Sequence, residues 1–231
     1  MTKACFIFNP RSGYNISNPQ VIERTRRFIA EQNAAGALDA RLVSTEHPHH
    51  ATALARDALA DGCTLWWRQK LAAPVVISYE VTMSADARVS DMNCFWMASD
   101  PKNPGDLFYE NNGRTGKFST YDSLNTYYVG YGGNGNTSTR FRRYDGTGAR
   151  PLLPEHDLAD AAHLLKAGHA YKIELIASDG EARFVCDGET VFRYADPKPL
   201  TEGWFGFRTV NSKMVIRNFR VTKPGGVTKS E

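Results

Sequence analysis

Two different rhythms of apolar and polar residues divide this chain near Gly62. Ahead of that point, strand-like and helix-like periods alternate. Ala4–Phe8 is a short apolar run, followed by the turn-forming Asn9-Pro10-Arg11-Ser12-Gly13. Asn18-Pro19 then supplies a helix N-cap and first helical residue. Val21, Ile22, Thr25, Phe28 and Ile29 recur at helical spacing and form the buried stripe of that helix. Leu38–Val43 reads as a second strand, and His49–Ala60 as a second helix with Ala51, Leu54, Ala58 and Leu59 on its apolar side. Strand, helix, strand, helix predicts a parallel α/β segment over residues 1–62.

Beyond Gly62 the period is two. Val75, Ile77, Tyr79, Val81 and Met83 alternate with Val76, Ser78, Glu80 and Thr82, the signature of a half-buried strand. Met92–Ala98 is nearly all apolar and predicts a central strand. Tyr171–Ala177, Ala182–Cys186 and Thr190–Tyr194 are joined by Ser178-Asp179-Gly180 and Asp187-Gly188, both hairpin signals. Trp204–Thr209 and Met214–Val221 close the series. In the last of these, Met214 and Ile216 share a parity that Phe219 and Val221 do not, which predicts a bulge near Arg217-Asn218. No long helix is predicted after Gly62. Short strands with repeated turn signals predict a mainly β domain, an antiparallel sandwich over residues 63–223, with 224–231 as a tail.

One stretch stands apart for its chemistry. Tyr127–Tyr131 and Ser138–Tyr144 flank a Gly/Asn-rich loop, and alternation places Arg140, Arg142 and Tyr144 on one face, Thr139, Phe141 and Arg143 on the other. Guanidinium groups beside tyrosines suit an anionic, ring-containing ligand. An edge strand protected by charge gives the same pattern.

Composition narrows the function classes. A hydrophobic share of 42% and a net charge of +3 describe an ordinary globular chain, too mildly basic to argue for nucleic acid. The charge is uneven, however. Between residues 111 and 150, Arg114, Lys117, Arg140, Arg142, Arg143 and Arg150 face only Asp122 and Asp145, a local excess of +4. Four scattered cysteines without a CxxC pair read as reduced thiols, with no zinc site and no cofactor implied. The start of the chain has no secretory pattern and no span is long and apolar, so a cytoplasmic location is expected.

Two resemblances to known families follow. Phe6 to Gly13, with Ser44-Thr45-Glu46 and His50-Ala51, resembles the start of the diacylglycerol kinase catalytic domain of lipid kinases. The resemblance implies nucleotide contacts by Asn9, Ser12, Gly13 and Thr45, and a Gly-containing turn before a helix suits phosphate. The family's Gly-Gly-Asp-Gly-Thr loop does not follow; Cys63 to Lys70 stands in its place. Kinase activity is therefore not expected.

The second resemblance spans about Thr64 to Val221. SDMNCFWMASD, YYVGYGGNGNTSTRFRRY, FVCDGETVFRYAD, GWFGFRTVNSKM and VIRNFRV are similar to an uncharacterised bacterial concanavalin-like (jelly-roll) β-sandwich family, with lectin-like and polysaccharide-degrading relatives. It implies a protein that binds or processes a glycan, with the local positive charge pointing to an acidic one. As an enzyme it would be a glycoside hydrolase or polysaccharide lyase. Candidate ligand contacts are Arg140, Arg142, Lys117, Tyr128, Tyr144 and Trp96; candidate catalytic groups are Asp91, Asn93 and Tyr127. The joining of the two segments near Gly62–Thr64 reads as a fusion, natural or engineered.

Overall fold

The computed structural model describes residues 2–8, 20–36, 38–44, 62–109, 112–114 and 116–225. The chain divides into two units: Met1–Asp61 with Phe108–Thr120, and Gly62–Leu107 with Tyr121–Glu231. In the first unit, β1 (Thr2–Phe8) and β2 (Leu38–Ser44) pair in parallel, with helix α1 (Gln20–Ala34) between them in sequence. That is the predicted strand–helix–strand order. Within α1, Ile29 of the apolar stripe is buried, while Phe28 is exposed. The expected second helix, and the nucleotide candidates Asn9, Ser12, Gly13 and Thr45, lie outside the described residues. No described helix is long and apolar enough to cross a membrane.

The second unit is built from twelve strands in two antiparallel sheets. They are β3 (Cys63–Trp66), β4 (Leu71–Ala72), β5 (Val75–Met83), β6 (Met92–Ser99), β7 (Asn125–Gly132), β8 (Ser138–Asp145), β9 (Asp157–Leu158), β10 (Ala170–Ser178), β11 (Glu181–Cys186), β12 (Glu189–Ala195), β13 (Glu202–Thr209) and β14 (Met214–Thr222). One sheet has the order β12-β11-β10-β5-β14. The other runs β3-β13-β6-β7-β8-β9, with β4 also paired to β13.

Alternation explains how the two layers meet. Val75, Ile77, Tyr79, Val81 and Met83 of β5 all turn inward, as their parity requires, and meet Cys94, Trp96, Tyr127, Val129 and Phe141 from the opposite sheet. Each large apolar side chain buried there contributes about 1.5–3 kcal/mol. The two-residue turns Asp179-Gly180 and Asp187-Gly188 have positive φ at both positions, the backbone that matches strand twist in a tight hairpin. In β14 the pairing with β5 shifts between Arg217 and Arg220, and Asn218 has φ 53°, so the parity break is a bulge.

Candidate ligand-binding face

The seven-stranded sheet has a second face, pointing away from the core. Because Cys94, Trp96, Tyr127, Val129, Phe141 and Phe205 point inward, their neighbours Asn93, Phe95, Tyr128, Gly130, Arg140, Arg142, Gly206 and Arg208 point outward. Strand register sets these residues in two rows. Thr64, Arg208, Asn93, Gly130, Arg140 and Asp157 lie side by side across the sheet. The adjacent row is Trp66, Gly206, Phe95, Tyr128 and Arg142, and Tyr144 lies beyond it opposite Thr126.

The glycines in these rows are where rings lie down. A Cβ on Gly206 would come within 2.7 Å of the Trp66 ring, and one on Gly130 within 2.9 Å of the Tyr128 hydroxyl. Trp66 and Phe95 stack at 5.5 Å, Phe95 and Tyr121 at 5.5 Å, Phe95 and Tyr128 meet at 4.9 Å, and Tyr128 and Tyr144 at 6.1 Å. The result is a continuous aromatic layer with polar groups set into it, in which Phe95, Tyr121, Tyr128 and Tyr144 are buried and Trp66 is half-buried.

Those polar groups are unusually deep. Arg208 is only 1% exposed. Its Nη1 donates to Thr64 Oγ1 at 3.2 Å, and its guanidinium carbon sits 5.3 Å from the Tyr121 ring centre. Asn93 is 4% exposed, and its Oδ1 has no hydrogen-bond partner. Asp122 Oδ1 and the Tyr144 hydroxyl are also buried, but they interact with each other and with Arg150, whose Nε lies 3.8 Å from Asp122 Oδ1. Burial raises the Asp122 pKa against the pull of Arg150 and Arg142. Burial also raises Tyr128 and Tyr144, and lowers Arg142.

The three arginines of β8 are each engaged. Arg140 holds Asp157 through two hydrogen bonds, of 2.7 and 3.2 Å. Arg142, 8% exposed, donates from Nη1 to the carbonyls of Arg150 and Pro151, at 2.7 and 3.0 Å. These belong to an exposed strap, residues 146–153, outside any strand or helix. Arg143, on the other parity, reaches Asp196 at 3.0 Å. The local +4 is therefore met largely from within. Arg142 in particular is not the open cation that its position in sequence suggests.

Of the remaining candidates, Asn93, Tyr128 and Tyr144 come together on this face. Trp96 and Tyr127 do not: both are buried in the core between the sheets, 5.5 Å apart. The Tyr127 hydroxyl donates to Asp196 Oδ2 at 2.8 Å and accepts from Leu200 N at 3.0 Å, so it serves as an internal tie. Asp91 precedes β6 with φ 60°; its carboxylate accepts from the Ser90 hydroxyl and lies 3.9 Å from Arg88. Lys117 belongs to the first unit. Trp66, Phe95, Tyr121, Asp122 and Arg208 were not among the candidates. For Arg208 the signal is present: in Trp204–Thr209 it shares a parity with Gly206, opposite to the apolar Phe205 and Phe207.

Comparison with known proteins follows from this geometry. A family model described as a domain of unknown function, DUF6250, matches residues 58–219. No curated protein matches the chain. Among solved structures, a Bacillus subtilis protein of unknown function with a galectin-like fold is similar at TM-score 0.54 and 19% identity, over 69% of this chain and 76% of that one. The sandwich thus has a galectin-like fold. A Bacillus subtilis carbohydrate binding module, CBM66, follows at TM-score 0.47 and 11% identity, covering 69% of this chain and 81% of that one. A human galectin-16 variant stands at TM-score 0.45 and 9% identity, covering 70% and 94%.

Proposed function

The chain belongs to the DUF6250 family, and from that starting point we propose that it is a carbohydrate-binding protein whose ligand occupies the outer face of the seven-stranded sheet. One observation carries the reading. Asn93 Oδ1 is buried without a hydrogen bond, beside a layer of aromatic rings. Buried polar atoms are nearly always paired, and each exception calls for a reason. A ligand that stacks its carbon skeleton on rings and hydrogen-bonds through its edges supplies that reason. Sugars have this division of surface. The strap over Arg142 holds two carbonyl oxygens where ligand oxygens would sit, so binding exchanges one set of acceptors for another.

An acidic glycan, expected from the local charge, has less support than a glycan as such, since Arg140 and Arg143 are already paired with carboxylates. A nucleotide role for the first unit rests on sequence resemblance alone. The test of the main reading is equilibrium binding of the full chain to a broad panel of oligosaccharides, followed by tryptophan fluorescence. Saturable binding to at least one glycan is expected, weakened about tenfold or more in Trp66→Ala, the loss of one stacked ring. A folded protein that binds no member of the panel refutes it.

A further inference from the structure

We propose that the strap over Arg142 is a latch that closes the ligand face from within. In the free protein its backbone occupies Arg142, and a sugar reaches that guanidinium only when residues 147–153 lift away. This rests on the glycan reading above and adds how access to that same face is controlled. The strap is moored at both ends. At the first, Gly146 N donates to Leu124 O at 3.1 Å, and a Cβ there would lie 2.5 Å from the Pro101 ring. At the other, the His156 ring is buried between Phe141 of one sheet and Phe192 and Tyr194 of the other. Asp157 then enters β9 and pairs with Arg140. Both moorings lie in packed structure, so the ends stay in place while the middle moves.

Between the moorings, polar contacts hold the strap down. Arg142 Nη1 donates to the Arg150 and Pro151 carbonyls. The Arg150 side chain reaches back to Asp122, 3.8 Å away, and interacts with Tyr144. Residues 147–151 and Leu153 are exposed, and Leu152 is half-buried. Lifting this stretch therefore uncovers little apolar surface, and the hydrogen bonds it gives up can be replaced by water or by a ligand. Gly148, at φ 86° with open space where a Cβ would stand, supplies a backbone position free to turn. Arg142 lies in the same row as Trp66, Phe95 and Tyr128, so ligand oxygens and strap carbonyls compete for one guanidinium. Only the lifted state is open to a ligand there, and the apparent affinity falls by the fraction of molecules that are closed. The contact of Arg150 with Asp122 belongs to the closed state, so it sets that fraction.

Stopped-flow kinetics of the full chain with the tightest-binding oligosaccharide of the panel, for the parent and Arg150→Ala, tests this. An ion pair this exposed shifts an equilibrium about two- to fivefold, so the variant is expected to bind that much more tightly. The gain should lie in the association rate, with dissociation within about twofold of the parent, because the latch is already lifted in the complex. Arg150→Gln removes the charge with less change of shape, and decides the question if Arg150→Ala fails to fold. Affinity unchanged or weaker than the parent's overturns the latch and leaves the glycan reading standing. So does a crystal structure of the complex in which Arg142 Nη1 still holds both strap carbonyls. No binding of any glycan by the parent or either variant overturns the glycan reading, and the latch with it.

Discussion

Asp196 offers a measure of how the two sheets are fastened. It follows β12 of the five-stranded sheet, and its side chain is 2% exposed. Its Oδ2 accepts from the Tyr127 hydroxyl at 2.8 Å and from Arg143 Nε at 3.0 Å, both on the seven-stranded sheet. Its Oδ1 accepts from Lys198 N at 2.8 Å. Replacing it with Ala removes all three hydrogen bonds and leaves the Arg143 guanidinium, 15% exposed, without its carboxylate. A hydrogen bond to a charged group is worth about 1.5–3 kcal/mol, and these share one acceptor, so they do not add fully. Breaking a buried ion pair by removing one partner typically costs about 3–5 kcal/mol, and that is the expected loss. Asp196→Asn keeps the shape and an acceptor, and should lose roughly half as much. Urea unfolding followed by near-ultraviolet circular dichroism reads the sandwich packing. A loss below about 1 kcal/mol for Asp196→Ala would refute the reasoning, because it would place the triad among exposed pairs of little consequence.

Other consequences are simpler to state. Gly203 packs so closely on β6 that a Cβ would lie 2.2 Å from the Met97 carbonyl carbon, so Gly203→Ala should destabilise by about 3 kcal/mol or fail to fold, as judged by thermal melting. His156 is buried against Phe141, Phe192 and Tyr194, and burial lowers its pKa from 6.5. Its folded pKa lies below the unfolded one, so its contribution is full above pH ~6.5 and is lost as pH falls through the folded value; in His156→Phe the decline in stability over that window should be shallower. Burial pushes the Cys94 and Cys186 thiols up to about 12, so a thiol reagent at mildly alkaline pH should label them only on unfolding. Rapid labelling of the native protein at either would contradict their placement.

Much of the architecture is written in short-range pattern. The alternation in Val75–Met83, the Asp-Gly turns and the parity break before Phe219 each act within a few residues, and each has its counterpart in a strand, a hairpin or the β14 bulge. Parity also separates Arg142 and Tyr144 from Phe141 correctly. What parity does not carry is the partner. Arg143 finds Asp196 fifty-three residues away, and Arg142 finds carbonyls on a strap with no pattern of its own. Arg208 lies beside Asn93 in register because β13 inserts between β3 and β6, a pairing that no local period encodes. Trp96 illustrates the converse. An aromatic residue in an apolar strand suits a ligand or a core equally, and only the opposing sheet decides for the core.

The central claim is that the outer face of the seven-stranded sheet binds a sugar beside Asn93 Oδ1. A crystal structure of the full chain with the tightest-binding oligosaccharide from the panel tests it most directly. The account predicts a sugar ring lying against the Trp66–Phe95–Tyr121–Tyr128 floor, with one of its hydroxyls within about 3.2 Å of Asn93 Oδ1. A sugar bound on another surface, with Asn93 Oδ1 still unpartnered, would contradict it.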